Sequence, residues 1–310
     1  MEVEVKFDLY FTFRMHDLVH ELALDVSQKE CKTVNSETET ADENVRHLLL
    51  CDEKLVGVPR VLEEMKNVRT YLRALELRDS PLTALPNSIG TLKHLRELDL
   101  ARSEDICKLP RSFYKLYRLQ SLNLGDTGLK QLPDSLQREL ECLPEGMQYL
   151  KSLRTLVVRR CVKLVSLPRS LKFLSKLENL VIVCCFRINL KMELEEEEDK
   201  DLQLSLKTLS LFALNALTDL PRLPLQGSSS TLQQLRIIGC RNLSVLPAWL
   251  LNLTSLQKLE IVNCRKLSAL PEGIGRLPNL RVLASRRCPQ LSKRYRENGG
   301  EDWHKIAHIQ

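Results

Sequence analysis

The chain has 310 residues; 64 are leucine, 43% are hydrophobic, 5% aromatic and 28% charged, and the formal net charge is +6. So much leucine beside so much charge excludes a disordered chain. No apolar run approaches the roughly 18 to 20 residues of a membrane helix; the longest is Asn179 to Phe186, NLVIVCCF. The first residues, MEVEVKFDLYFTFR, have no basic stretch followed by an apolar one and do not read as a secretion signal. A leucine excess without matching aromatics points to regular, repeated packing.

In chain order, Phe7 to Phe13 is apolar and aromatic and predicts a strand. Met15 to Gln28 places Leu18, Val19, Leu22 and Val26 at helical spacing. His16 and His20 lie four apart on that helix, but Glu21 is out of place for HExxH, so no zinc site is expected. The string Leu-x-x-Leu-x-Leu, or a Val/Ile variant, then begins at Leu72, Leu95, Leu119, Leu153, Leu177, Leu206, Leu232, Leu256 and Leu280, with an earlier copy at Val45. The steps from Leu72 are 23, 24, 34, 24, 29, 26, 24 and 24. This is the pattern of a leucine-rich-repeat solenoid. One short strand per coil stacks into a parallel concave sheet, an α/β horseshoe, with the leucines pointing to a continuous core.

The return half of each coil is regular too. Most prolines follow a leucine, as at Pro86, Pro110, Pro168, Pro247 and Pro271, and an apolar residue stands three positions later (Ile89, Phe113, Leu171, Leu250, Ile274). Proline lacks the amide donor and disfavours helix before it, which predicts an irregular or 3₁₀ convex side. Three steps exceed 24. The 34-residue step reads as a coil that lost its strand, with an ill-fitting segment over 134–143; the 29-residue step carries the acidic loop 191–201; the 26-residue step carries Gln226 to Ser230, read as a flexible loop.

Cys161, Cys185, Cys240, Cys264 and Cys288 each lie eight residues after the first leucine of their repeat, and Ser80, Ser103 and Thr127 hold the same phase earlier. Such a phase suits small, weakly polar side chains buried against backbone groups. Equivalent side chains in stacked coils run parallel about 4.8 Å apart, which does not suit a disulfide. A reduced ladder and a reducing, intracellular compartment are therefore expected. Residues 191–201 hold seven acids and two lysines, a net −5, leaving +11 on the rest. Aromatics are sparse and no nucleic-acid motif appears, so nucleic acid is not the expected partner.

Residues between the leucines of each strand project to the concave surface. The first coils offer Arg73, Glu76, Arg78, Glu97, Asp99 and Arg102. The middle coils offer Val157, Arg159, Val181, Val183, Phe212 and Ile238. The last offer Arg236, Lys258, Glu260, Arg281 and Arg286. An apolar middle flanked by charge is the pattern of a protein-binding face. Arg78, Asp99, Val157, Arg159, Val181, Val183, Phe212, Arg236, Ile238, Lys258 and Arg286 are its candidate contacts.

Two terminal motifs carry a family resemblance. Phe13 to Ala23, FRMHDLVHELA, resembles the MHD motif of plant nucleotide-binding leucine-rich-repeat disease-resistance proteins of the coiled-coil class. Asn44 to Leu48 resembles that family's entry into its first repeat, and Cys288-Pro-Gln-Leu with Gly300 to Ile309 resembles its closing stretch. The resemblance implies three parts: residues 1–40 as a short helical remnant of the winged-helix end of the NB-ARC domain, 41–288 as nine or ten repeats, and 289–310 as a cap. It implies that His16 would contact the β-phosphate of ADP and that Asp17 would help hold the resting state. The chain carries no GxxxxGK[ST] loop, so ADP or ATP is expected only in a full-length family member. The implied partners are proteins: a pathogen effector, a guarded host protein, or the NB-ARC or coiled-coil domain of a related receptor, met in the cytoplasm. The alternative is a stand-alone repeat adaptor or decoy. An F-box-type ubiquitin-ligase receptor lacks its helical segment here, and no catalytic constellation suggests an enzyme.

Overall fold

The computed structural model describes residues 3–5, 11–13, 30–34, 45–50, 72–129, 147–188, 190, 203–297, 299–307 and 309. The expected helix over Met15 to Gln28, with His16 and Asp17, lies outside them, as do the segment 134–143 and the acidic run 191–201. β1 (Val3–Val5) and β2 (Phe11–Phe13) form an antiparallel pair, the second within the stretch expected to be extended.

Among the described residues the main sheet has eleven strands in sequential order. They are β3 (Cys31–Val34), β4 (His47–Leu50), β5 (Ala74–Glu76), β6 (Glu97–Asp99), β7 (Ser121–Asn123), β8 (Thr155–Arg159), β9 (Asn179–Val183), β10 (Thr208–Phe212), β11 (Gln234–Ile238), β12 (Lys258–Val262) and β13 (Val282–Arg286). Every neighbouring pair is parallel. The fourth repeat position forms one leucine column, Leu48 to Leu75 to Leu98 and onward to Leu283, because each register pairs leucine with leucine. β7 pairs directly with β8, so the 34-residue step adds no strand between them. β3 was not foreseen: CKTV carries no repeat string, and its place comes from pairing with β4.

The convex side is built from 3₁₀ turns at Asn87–Thr91, Arg111–Lys115, Met147–Tyr149, Arg169–Phe173, Ala248–Asn252 and Ile274–Arg276. Four follow a proline held at φ between −69 and −72, the value its ring imposes. Ile89, Phe113, Leu171, Leu250 and Ile274, three residues past Pro86, Pro110, Pro168, Pro247 and Pro271, are all buried. Coils also approach closely: a Cβ on Gly128 would stand 2.2 Å from the Glu104 carbonyl oxygen, so only glycine fits there.

One expectation is overturned. Gln226 to Ser230 is not a flexible loop: α1 (Arg222–Gln226) leads into a closed turn in which Ser228 is wholly buried. The Ser228 amide donates to the Leu225 carbonyl, the Thr231 amide to the Ser228 carbonyl, and the Leu204 amide to the Gly227 carbonyl. These backbone bonds order a segment whose composition reads as loose. The closing stretch forms α2 (Pro289–Arg294) and a 3₁₀ turn at Trp303–Lys305. Ile306 and Leu291 are buried and Trp303 packs partly against the core, while Ala307 stays exposed. Asp302 anchors this turn between Arg294 and Lys305, and their hydrogen bonds, Lys305 first, hold its carboxyl below the ordinary aspartate range.

The ladder phase is a recurrent joint. The residue just before it is left-handed in every coil from Asp79 onward: Asp79, Arg102, Asp126, Arg160, Cys184, Ala213, Gly239, Asn263 and Arg287 all have φ between 48 and 68. The chain swings out of the sheet at this point, and the strand-end carbonyl needs another donor. In six of these coils the ladder side chain supplies it; the Leu214 side chain has no donor, and Thr127 donates instead to the Leu124 carbonyl of its own coil. Ser103 Oγ donates to the Leu77 carbonyl at 2.8 Å, and Cys161 Sγ to that of Leu124 at 2.9 Å. Cys185, Cys240, Cys264 and Cys288 reach the carbonyls of Val158, Leu211, Ile237 and Ile261 at 3.6 to 3.8 Å. All five ladder cysteines are wholly buried free thiols. Burial pushes Cys240 up to about 11, and a thiol hydrogen bond plus burial pushes Cys185 and Cys264 up as well. Cys185, Cys240 and Cys264 therefore stay protonated donors, while the same thiol hydrogen bonds lower Cys161, the partner of Cys185, and Cys288, the partner of Cys264, to about 7.

A substitution series checks this account. Cys264→Ala is expected to cost about 1 to 3 kcal/mol, the penalty of an unsatisfied buried carbonyl, and Cys264→Ser, which keeps a donor, is expected to cost less. Urea denaturation ranks the two; a serine variant less stable than the alanine variant would show that the phase is merely apolar.

Candidate partner-binding face

The concave face is three rows of side chains laid out by the strand register. The fifth repeat position gives Glu76, Asp99, Asn123, Val157, Val181, Ser210, Arg236, Glu260 and Ala284 in order across the sheet. The seventh position, over the longer strands, gives Arg159, Val183, Phe212, Ile238, Val262 and Arg286. The third position is polar, from Glu97 through Thr155, Asn179 and Gln234 to Lys258. The face thus runs from an acidic start through an apolar middle to a more basic end.

Charges on this face are largely matched. Arg78 meets Asp99 at 2.8 Å and Glu76 at 3.4 Å. Arg159 lies 3.7 Å from Asp126. Arg236 holds Glu260 at 3.0 Å, with Lys258 3.6 Å from the same carboxylate. The Arg236 guanidinium also lies over the Phe212 ring, 5.3 Å from its centroid, a contact of about 0.5–1 kcal/mol at an exposed site. Arg286 stands exposed on the last strand.

The structure places every candidate contact on this face, but not equally open. Val157, Val181, Phe212 and Ile238 are half-buried, whereas Val183 is buried and Ser210 beside Val181 is buried too. Val183 therefore supports the row more than it presents surface. Arg102 is in the left-handed turn beyond β6 and pairs with Asp79 at 2.6 Å, so it belongs to the rim. Val262 was missed by the sequence reading although it holds the phase of Ile238; it extends the apolar row to four residues between Arg159 and Arg286. Asp126, the counter-charge of Arg159, was also missed, because it follows its strand and comes near only through coil stacking.

No metal-holding cluster of His, Cys, Asp and Glu occurs among the described residues, and no helix among them is long and apolar enough to cross a membrane. The face offers side chains for contact.

Comparison with known proteins agrees with the architecture. A family model described as a leucine-rich repeat region matches residues 61–302. The chain is 26% identical over 196 residues to disease resistance RPP13-like protein 4 of Arabidopsis thaliana, covering 55% of this chain and 21% of that protein. It is 34% identical over 102 residues to the disease resistance protein RGA1 of Solanum bulbocastanum, covering 32% of this chain and 10% of that protein. The chain thus spans about a fifth or less of the length of these relatives. Among solved structures, the leucine-rich repeat domain of the type III effector XopL superposes with a TM-score of 0.52 at 23% identity, over 88% of this chain and 82% of that one. The TLR13–ssRNA13 complex gives 0.58 at 18% identity, over 91% of this chain and 41% of that one. Both show likeness of fold. With a leucine-rich repeat model matched over residues 61–302, most of its length, the chain belongs to the leucine-rich-repeat family.

Proposed function

We propose that this chain is the sensor and regulatory part of an intracellular plant resistance receptor and that it works by binding protein on its concave face. The observation that carries the reading is the row Val183, Phe212, Ile238 and Val262, laid side by side between Arg159 and Arg286. An apolar centre with a charged rim is the anatomy of a protein interface, and paired rim charges set register more than affinity. The partner classes are a pathogen effector, a guarded host protein, or a domain of a related receptor. A cytoplasmic setting fits the five buried free thiols of the ladder. His16 and Asp17 would serve a nucleotide switch only together with a phosphate loop, which this chain does not carry.

The test is the double variant Phe212→Ser with Ile238→Ser, immobilised beside the unaltered chain and exposed to extracts of challenged plants. The variant is expected to lose at least about tenfold of the proteins specifically retained, since two central apolar contacts carry a large share of such an interface. Undiminished retention by a variant with an unchanged denaturation midpoint would remove the concave row from the binding site.

A further inference from the structure

A second surface lies along the carboxyl edge of the sheet, where each coil leaves its strand. Repeat positions eight to eleven form this edge: RCVK at 160–163, CCFR at 184–187, ALNA at 213–216, GCRN at 239–242, NCRK at 263–266 and RCPQ at 287–290. These six segments contain no Asp or Glu. Arg160 is drawn to Asp126 at 3.7 Å. The remaining cations, Lys163, Arg187, Arg241, Arg265, Lys266 and Arg287, are all exposed and meet no carboxylate among the described residues. The left-handed joint repeats in all six coils, so this placement recurs with the backbone. Arg241 and Arg265 hold the same phase in adjacent coils, and Lys266 Nζ donates to Asn242 Oδ1 at 2.8 Å across the same two. Val162 and Phe186 also share one phase in adjacent coils and are 49% and 48% exposed. An apolar step is thereby set at one end of a basic row.

We infer that this edge, from Lys163 to Arg287, is a docking surface for an acidic protein segment that carries an apolar side chain. The argument is charge complementarity with a defined geometry. Six strands at about 4.8 Å spacing give a row about 24 Å long, the span of about seven extended residues. Arginine forks match carboxylates bidentately. Duplex or single-stranded nucleic acid would meet the same charge, but stacking of bases needs a series of aromatic platforms, and Phe186 is the one aromatic residue in these six segments. The surface is separate from the concave row and does not depend on what that row binds.

The probe is a fluorescein-labelled twelve-residue peptide of glutamate with one leucine near its end, titrated onto the full chain by fluorescence anisotropy at low and physiological salt. Arg241→Glu with Arg265→Glu is expected to weaken binding at least about tenfold, as loss and reversal of two paired charges requires; Arg241→Gln with Arg265→Gln serves if the reversal does not fold. Phe186→Ser is expected to weaken it about threefold and to leave binding of an all-glutamate peptide unchanged. Lys172→Glu with Lys176→Glu, on a convex turn, and Phe212→Ser with Ile238→Ser, on the concave row, are expected to leave it unaltered. Equal losses from the convex and edge reversals would reduce the effect to net charge and overturn the proposal. So would tighter binding of an oligonucleotide of matched charge, or an unchanged peptide affinity in the folded edge variant.

Discussion

Phe113→Ala is expected to lower the free energy of unfolding by about 3 to 5 kcal/mol, the range for truncating a large buried aromatic residue. Phe113 is wholly buried in the 3₁₀ turn Arg111–Lys115, three residues after Pro110, and its ring meets Tyr114 edge-on at 5.5 Å. The equivalent positions Ile89, Met147, Leu171, Leu250 and Ile274 carry no ring, so among the described residues this coil alone fills the site with an aromatic ring. The cavity left by alanine would be bounded by backbone turns of the stacked coils, which are already in tight contact near Gly90 and Ser112. Such walls collapse poorly, which places the cost toward the upper end. Urea denaturation followed by circular dichroism reads the change; a loss under about 1 kcal/mol would mean that the convex turns are loosely packed.

Leu235→Ala is expected to cost about 2 to 5 kcal/mol. Leu235 is wholly buried in the middle of the leucine column, paired with Leu209 on one side and Leu259 on the other. A solenoid is held by contacts between neighbouring coils, so a cavity here weakens two interfaces at once. Hydrogen exchange is expected to show reduced protection in β10 and β12 as well as in β11. Protection lost in β11 alone, or a stability change under about 1 kcal/mol, would contradict a continuous core.

The two changes probe different parts of the same inheritance from sequence. The column of leucines, the 3₁₀ turns after Leu-Pro and the ladder phase are all legible in the chain, because a repeat forces each position into one environment many times over. Ile89, Phe113, Leu171, Leu250 and Ile274 needed only their distance from proline. Cys161 and Ser103 needed only their distance from the first leucine, although the carbonyl each one caps belongs to the preceding coil. Where periodicity lapses, legibility lapses with it. β3 carries no repeat string and is recruited by β4. Ser228 lies in a run whose composition suggests looseness, yet backbone hydrogen bonds close it.

The concave face divides the same way. Alternation along a strand is enough to send Phe212 and Ile238 to one side. It does not say that Val183 is nearly closed off, or that Arg236 lies over Phe212 while holding Glu260. Those facts depend on neighbours about 24 residues or more away, brought together by register.

By itself, the sequence determined the number of strands from Leu72 onward, the inward direction of the leucines, the irregular convex side and the phase of the buried thiols. The reason is that hydrophobic periodicity and proline stereochemistry act locally and repeat. Only the tertiary structure decided which charges are already matched, which apolar side chains are still open, and that the carboxyl edge from Lys163 to Arg287 gathers cations without a carboxylate among the described residues. Those properties belong to stacked coils: electrostatic and packing partners lie across the solenoid, at distances set by the spacing of strands and not by separation along the chain.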